Sequence, residues 1–293
     1  MQGEPARAEL SDPGMMYFSH LQSAALTDIG QRRAANEDAV LVLPEEGVFV
    51  VADGIGGSAG GAGSSSAVVD AVGKLFEDLP EPGLIRTAAG KSRLIRHNVN
   101  LVSQYIRAKS DELGFRHAGT TAIVLMFDAE NPDYAITLHA GDSPAYRYRD
   151  QAIQQVTRDH TYAAELPLED LDKLPARMRG IITRAVGVKG AVDLEETRVD
   201  VRPGDLFLLF SDGVTNMVSD GAIVDLIEEH RATGMDVLAE AIVAAANAAG
   251  GLDNISVVLI DVGVLVPPPE AAARDREGPT LLEDPGEETQ QID

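Results

Sequence analysis

The chain has 293 residues, 44% of them hydrophobic, enough for a sizeable core, and its 47 acidic and 24 basic residues leave a net charge of −23. That balance argues against binding nucleic acid through its phosphates, and the absence of cysteine excludes disulfides, thiolate zinc sites and a cysteine nucleophile. No apolar run offers a membrane span, and the first residues lack the basic-then-apolar order of a signal peptide, so a cytoplasmic protein with no membrane partner is expected.

Residues 1–19 show no sustained periodicity and are expected to form a mobile extension, followed by a folded domain at 20–264 and a disordered, acidic, proline-rich tail at 265–293. The first strand is predicted at 21–27. A polar loop holding Arg32, Arg33, Asn36, Glu37 and Asp38 leads into a strand at 39–43, and a turn at 44–47 opens VFVVADGIGG, residues 48–57. Four β-branched or aromatic residues in a row read as a strand buried on both faces; Gly54, Gly56 and Gly57 end it and leave Asp53 at its tip. Serines 64–66 are expected to cap a helix with Ala67, Val68, Ala71, Val72, Leu75, Phe76 and Leu79 at helical spacing. A second helix is predicted over 84–106, with Gly90 as a weak point.

From residue 119 the pattern turns to strands, at 119–127, 134–143, 145–149 and 151–156, the last two joined around Arg149 and Asp150. A polar surface flap is expected at 157–183, with a short amphipathic piece at 166–174. Strands at 192–199 and 206–210, helices at 222–230 and 237–249, and a strand at 255–262 complete the order. Hairpin-like strands without strand-helix alternation point to an α+β fold, a four-layer α-β-β-α sandwich of two antiparallel sheets flanked by helix pairs.

Acids recur at the predicted strand ends: Glu37 and Asp38 before one, Asp53-Gly54 and Gly141-Asp142 after two more, Asp212-Gly213 after another, Asp253-Asn254 before the last. Each alone is an ordinary turn. In antiparallel sheets the end of one strand lies beside the start of its neighbour, so the five sites can converge on one rim, where carboxylates need a counter-charge. With no cysteine and no close histidine pair, oxygen ligation favours Mg²⁺ or Mn²⁺ over zinc. A two-metal site of this kind activates water for in-line attack on phosphorus, and Arg33 in the adjoining loop is placed to hold phosphate oxygens.

The segments TDIGQRRAANED (27–38), VADGIGGSAGG (51–61), AGTTA (118–122), HAGDSPAYRY (139–148), TRDHT (157–161), ITRAVG (182–187), LFSDGVTN (209–216) and DNISVVLI (253–260) resemble, in order, the metal-dependent serine/threonine protein phosphatases of the PPM or type 2C family, in a bacterial form. The resemblance implies the same sandwich and Mn²⁺- or Mg²⁺-dependent hydrolysis of phosphoserine and phosphothreonine. The implied partners are phosphorylated proteins and a serine/threonine kinase whose work the enzyme opposes, and a monomer is expected. By the same resemblance Asp53 bridges two metal ions, the Gly54 carbonyl is a ligand of one, and Asp212 and Asp253 are ligands of the other. Glu37 and Asp38 hold metal-bound waters, Asp142 with Asp212 makes a third, weaker metal site, and Arg33 clamps the phosphate.

The chain departs from the family where Ile55 and Ser58 stand at positions that carry histidine in other members, and where Pro144 replaces an arginine. No general acid is therefore assigned. His160 is expected to be structural, as are Thr120 and Thr121. The competing readings are a catalytically weak, phosphoprotein-binding regulator of the same fold, and a two-metal hydrolase of small phosphate esters or nucleotides.

Overall fold

The computed structural model describes residues 17–57, 59–80, 83–115 and 118–264. The expected tail, Ser58, and all of the expected extension before Tyr17 lie outside them. In chain order the elements are β1 (Leu21–Asp28), β2 (Asp38–Leu43), β3 (Val48–Ile55), α1 (Ala59–Glu77), α2 (Ala88–Leu113), β4 (Gly119–Thr120), β5 (Ala122–Phe127), β6 (Tyr134–Ala140), β7 (Ala145–Arg149), β8 (Ala152–Gln155), β9 (Glu195–Asp200), β10 (Leu206–Phe210), α3 (Asp220–His230), α4 (Met235–Ala248) and β11 (Ile255–Val262). One sheet runs β1-β11-β10-β7-β8 and the other β2-β3-β5-β6-β9, with β4 beside β3. All strand pairs are antiparallel.

The VFVV run is buried on both faces, as its composition demands. Phe49 and Val51 point between the sheets, where they meet Phe207, Leu209, Val258 and Ile260. Val48 and Val50 point outward against Val68 and Val72 of α1 and Ile95 and Val99 of α2. In the other sheet Leu206, Leu208 and Phe210 pack on Ile223 and Ile227 of α3 and Leu238 and Ile242 of α4. Three apolar layers thus separate four layers of secondary structure. Each fully buried side chain of this kind contributes about 1.5–3 kcal/mol from apolar transfer. Edge-to-face contacts of Phe127 with Phe49 at 6.0 Å and Phe207 at 5.6 Å join the sheets at mid-core.

Several boundaries differ from expectation. Phe18, placed in the N-terminal extension, is buried in the inter-sheet layer. Helix α1 begins at Ala59, before the serines at 64–66, and they do not cap it: Ser64 Oγ donates to the Gly60 carbonyl at 2.7 Å and Ser65 Oγ to that of Glu37. The first turn is built on glycine because it presses against β3 and the loop before β2. A Cβ on Gly61 would lie 2.0 Å from Glu37 Oε2, and one on Gly54 would lie 2.5 Å from the Gly61 carbonyl carbon.

Helix α2 starts after residue 84, behind Thr87, whose Oγ1 accepts from the Gly90 N–H at 3.1 Å. Gly90 therefore sits in the first turn, where it weakens nothing in the helix interior. The predicted strand at 192–199 begins only at Glu195, because Val192 and Leu194 turn into the helix-side layer. Asp150 and Gln151, at φ 50° and 62°, form the tight turn between β7 and β8. The flap is anchored rather than superficial at its base: Thr157, His160 and Thr161 are buried, and Thr161 bridges Ile182.

Candidate active site

The antiparallel register of β2 and β3 places Asp38 directly opposite Asp53. In the other sheet β10 and β11 pair Phe210 with Val257, so the Asp212 turn after β10 lies beside Asp253 and Asn254 before β11. Ser256 joins the two rims: its Oγ donates to Asp38 Oδ2 at 2.7 Å, and its backbone N–H donates to Ser211 Oγ at 2.9 Å. Asp53 is held from behind by β4 and its flank. Thr121 Oγ1 accepts from the Asp53 N–H at 3.0 Å, while Thr120 Oγ1 and the Thr121 N–H donate to the Asp53 carbonyl at 2.9 and 2.8 Å.

The loop of residues 29–37 is fixed by Asn254, a buried residue to which the sequence alone attached no role. Its Oδ1 accepts from the Glu37 N–H at 2.9 Å, and its Nδ2 donates to the carbonyls of Ile29 and Ala35, each at 3.0 Å. The loop carries Arg33, whose guanidinium donates to Asp253 Oδ2 at 2.5 Å and also feels the charges of Glu37 and Asp53. Space between the end of β10 and the start of β11 is as tight as at Gly61. A Cβ on Gly213 would lie 1.9 Å from the Asn254 carbonyl oxygen, so Asp212 must be followed by glycine.

The carboxylates interact strongly. Burial, and then the charges of Asp38, Asp212, Asp142 and Asp253, hold the Asp53 carboxyl well above the usual carboxylate range. Burial pushes Asp38 up to about 6 and Asp142 up to about 7, the latter helped by Asp212. Asp212 is raised by burial and by Asp253, against which Asp53, Arg33 and Asn216 pull it down. Asp38 Oδ1 and Asp212 Oδ1 are buried with no hydrogen-bond partner among the described residues. Oxygen donors with unused lone pairs, packed more densely than one arginine can neutralise, fit hard divalent cations. All of the residues singled out in the sequence, Arg33, Glu37, Asp38, Asp53, Gly54, Asp142, Asp212 and Asp253, lie along this rim or in its supporting turns.

A second cluster, His139, His160 and Glu195, has ligand atoms close enough to suggest a metal site. Its hydrogen bonds argue for a different role. The Gly141 N–H donates to His160 Nδ1 at 3.1 Å, which leaves the proton on Nε2, and this faces Glu195 Oε2 at 3.1 Å. His139 stacks on His160 at 4.4 Å and uses its Nε2 on the Arg158 carbonyl at 2.9 Å. Burial lowers the His160 pKa, in keeping with a neutral ring. His160 is thus a positioning residue that fixes the Gly141-Asp142 turn, whose glycine has φ 113°.

Comparison with known proteins agrees with this arrangement. The profile described as protein phosphatase 2C matches residues 30–247. Protein phosphatase PhpP of Streptococcus pneumoniae is 31% identical over 251 residues, covering 83% of this chain and 98% of its own. The solved structure of PppA from Pseudomonas aeruginosa superposes with a TM-score of 0.73 at 31% identity, over 83% of this chain and 98% of that one. The catalytic domain of the serine/threonine protein phosphatase PstP, solved with two manganese ions, gives a TM-score of 0.69 at 30% identity, over 83% and 99% of the two chains. The profile match takes in β2 to β10 with Arg33, Glu37, Asp38, Asp53, Asp142 and Asp212, and the chain accordingly belongs to the protein phosphatase 2C family and is a protein serine/threonine phosphatase.

Proposed function

We propose that the rim formed by Asp38, Asp53, Asp212 and Asp253 is a binuclear Mn²⁺ or Mg²⁺ site at which phosphoserine and phosphothreonine are hydrolysed. The observation that carries this reading is the meeting of aspartates from both sheets, with buried Asp38 and Asp212 oxygens left without hydrogen-bond partners. The manganese ions of the PstP structure support it. Asp53, at the centre of the cluster, would bridge two ions with the Gly54 carbonyl beside it. Asp212 and Asp253 would be ligands of the other ion, Glu37 and Asp38 would hold metal-bound waters, and Asp142 with Asp212 would form a weaker third site. Such ions supply activation of water at neutral pH and neutralisation of phosphoryl charge.

The chain's own residues supply the rest. Arg33 reaches the rim from a loop pinned by Asn254, and its planar guanidinium suits bidentate contact with phosphate oxygens. Its contact with Asp253 supports this role. Ile55 puts no proton donor beside the rim, and no residue is assigned as general acid. In the same reading the enzyme is a cytoplasmic monomer that opposes a serine/threonine kinase. Among the described residues no helix is long and apolar enough to cross a membrane.

The test is hydrolysis of a phosphothreonine peptide with Mn²⁺, with EDTA, and by Asp53→Asn, alongside Mn²⁺-induced thermal stabilisation. Turnover and stabilisation by Mn²⁺ are both expected in the wild type and both lost in the variant. At about 100 times Kd a ligand specific for the folded state adds roughly 2.7 kcal/mol of stability. A fully active Asp53→Asn protein would refute the bridging role.

A further inference from the structure

Beside the acidic rim lies a cavity of about 1000 Å³ whose walls come from the flap and the segment that follows it. Its connection to the rim is direct. Ile55, two residues beyond Asp53, lines it, and Val186 pairs with Thr120, the residue that holds the Asp53 carbonyl. Tyr162 and Ile181 expose 44% and 43% of their surface there, which leaves an apolar floor within a few residues' reach of the reacting centre.

The cavity wall itself balances Arg184 and Lys189 against Glu165 and Asp193, and further basic residues come from the stretch that flanks it. Across 173–192 stand Lys173, Arg177, Arg179, Arg184 and Lys189, with no aspartate or glutamate, in a protein with 47 acids to 24 bases. Lys173 is neutralised by Asp170 at 2.6 Å, and Arg184 lies 3.6 Å from Glu195. Arg177, Arg179 and Lys189 are exposed and make no ion pair among the described residues; Arg179 reaches only the carbonyls of Leu171 and Leu174, both at 3.4 Å. Glu165 and Asp193, the acids on the cavity wall, are partly engaged: Glu165 accepts from Thr183 Oγ1, and Asp193 lies 4.0 Å from Arg96. Residues 173–192 thus form a basic stretch between acidic ones, with Glu165, Glu169, Asp170 and Asp172 before it and Asp193, Glu195 and Glu196 after it, alongside the cavity.

We propose that the flap selects phosphopeptides with aspartate or glutamate near the phosphorylated residue, with Arg177, Arg179 and Lys189 as the specificity-determining cations. This rests on the phosphatase reading above and adds the substrate class to it. An acidic flank meets three cations that make no ion pair among the described residues, while a basic flank meets like charge there.

The experiment compares kcat/KM for phosphothreonine peptides of equal length flanked by Asp and Glu, by Ser and Gly, or by Lys and Arg, using the full chain with Mn²⁺. The wild type is expected to favour the acidic over the basic peptide by about ten-fold, the scale of two or three exposed ion pairs, and added salt should compress the ratio. Combined Arg177→Glu, Arg179→Glu and Lys189→Glu substitution should abolish or invert it, and Arg177→Lys with Arg179→Lys should keep it. Because both peptides are measured on one preparation, a general loss of activity cancels. Equal rates in the wild type, or an unchanged ratio in the charge-reversed variant, would overturn the proposal. If no peptide is hydrolysed, the phosphatase reading fails instead, and fluorescence anisotropy of the same peptides still decides the flap: tighter binding of the acidic one by wild type alone supports it, and indifference refutes it.

Discussion

Replacing Asn254 with alanine tests whether one buried amide holds the loop that presents Arg33 and Glu37. The wild-type side chain makes three hydrogen bonds, to the Glu37 N–H and to the Ile29 and Ala35 carbonyls, and is 3% exposed. Each such bond contributes about 1 kcal/mol net, so its loss should destabilise the protein by roughly 3 kcal/mol, and more where the freed groups stay dry. For a domain of this size that is a fall in Tm of about 6–12 °C. Urea denaturation gives the stability, and phosphopeptide kinetics with phosphate inhibition report on the loop. The expected kinetic signature is a rise in KM and in the inhibition constant for phosphate, because Arg33 loses its fixed position. Asn254→Asp should rescue little: it keeps the acceptor for Glu37, removes both donor contacts, and brings another carboxylate to a crowded rim. A stability loss under about 0.5 kcal/mol would show that the loop is held by other contacts and refute the assignment.

Three further outcomes follow from the packing and charge. Gly61→Ala should cost about 1–3 kcal/mol by overpacking and weaken Mn²⁺ binding measured calorimetrically, since its Cβ would fall 2.0 Å from Glu37 Oε2; wild-type Mn²⁺ affinity would contradict this. Asp205→Ala should cost about 3–5 kcal/mol in denaturant melts, because it strips the largely buried Arg149 of its two-point partner at 2.6 Å; a neutral result would show that Asp200 suffices. Lys91, fully buried, has its pKa lowered by burial from 10.5 to about 7. Between those values the unfolded chain binds the proton that the folded protein gives up, so stability should rise with pH by up to about 1.4 kcal/mol per unit from this residue. Lys91→Met should flatten that slope between pH 7.5 and 9.5; parallel wild-type and variant curves would exclude it.

What could be read from the sequence rests on local chemistry. Runs such as VFVV at 48–51 and LFLLF at 206–210 have one low-energy use, as strands covered on both sides, and the helical spacing of Val68 and Val72, or of Leu238 and Ile242, supplies the cover. The sandwich and the acids at its strand ends were legible for that reason. Where α1 begins was not: propensity favours the serines, but the close approach of Gly61 to Glu37 and Gly54 lets glycines carry the first turn. Val192 carries a strand-like pattern and yet packs under α2, a choice made by the layer it fills. In the site, convergence depended on register. Asp38 opposite Asp53 comes from a local hairpin, but Ser256 across from Asp38 is a relation between strands far apart in sequence, as is the grip of Asn254 on residues 29–37. An asparagine after an aspartate gives no local sign of that grip, because the groups it satisfies are more than 200 positions away. The chain's own chemistry determined which residues could bind a cation and which faces must be buried; the tertiary structure alone decided which carboxylates crowd one another, which amide holds their loop, and which cations make no ion pair among the described residues, since each depends on distances that only packing sets.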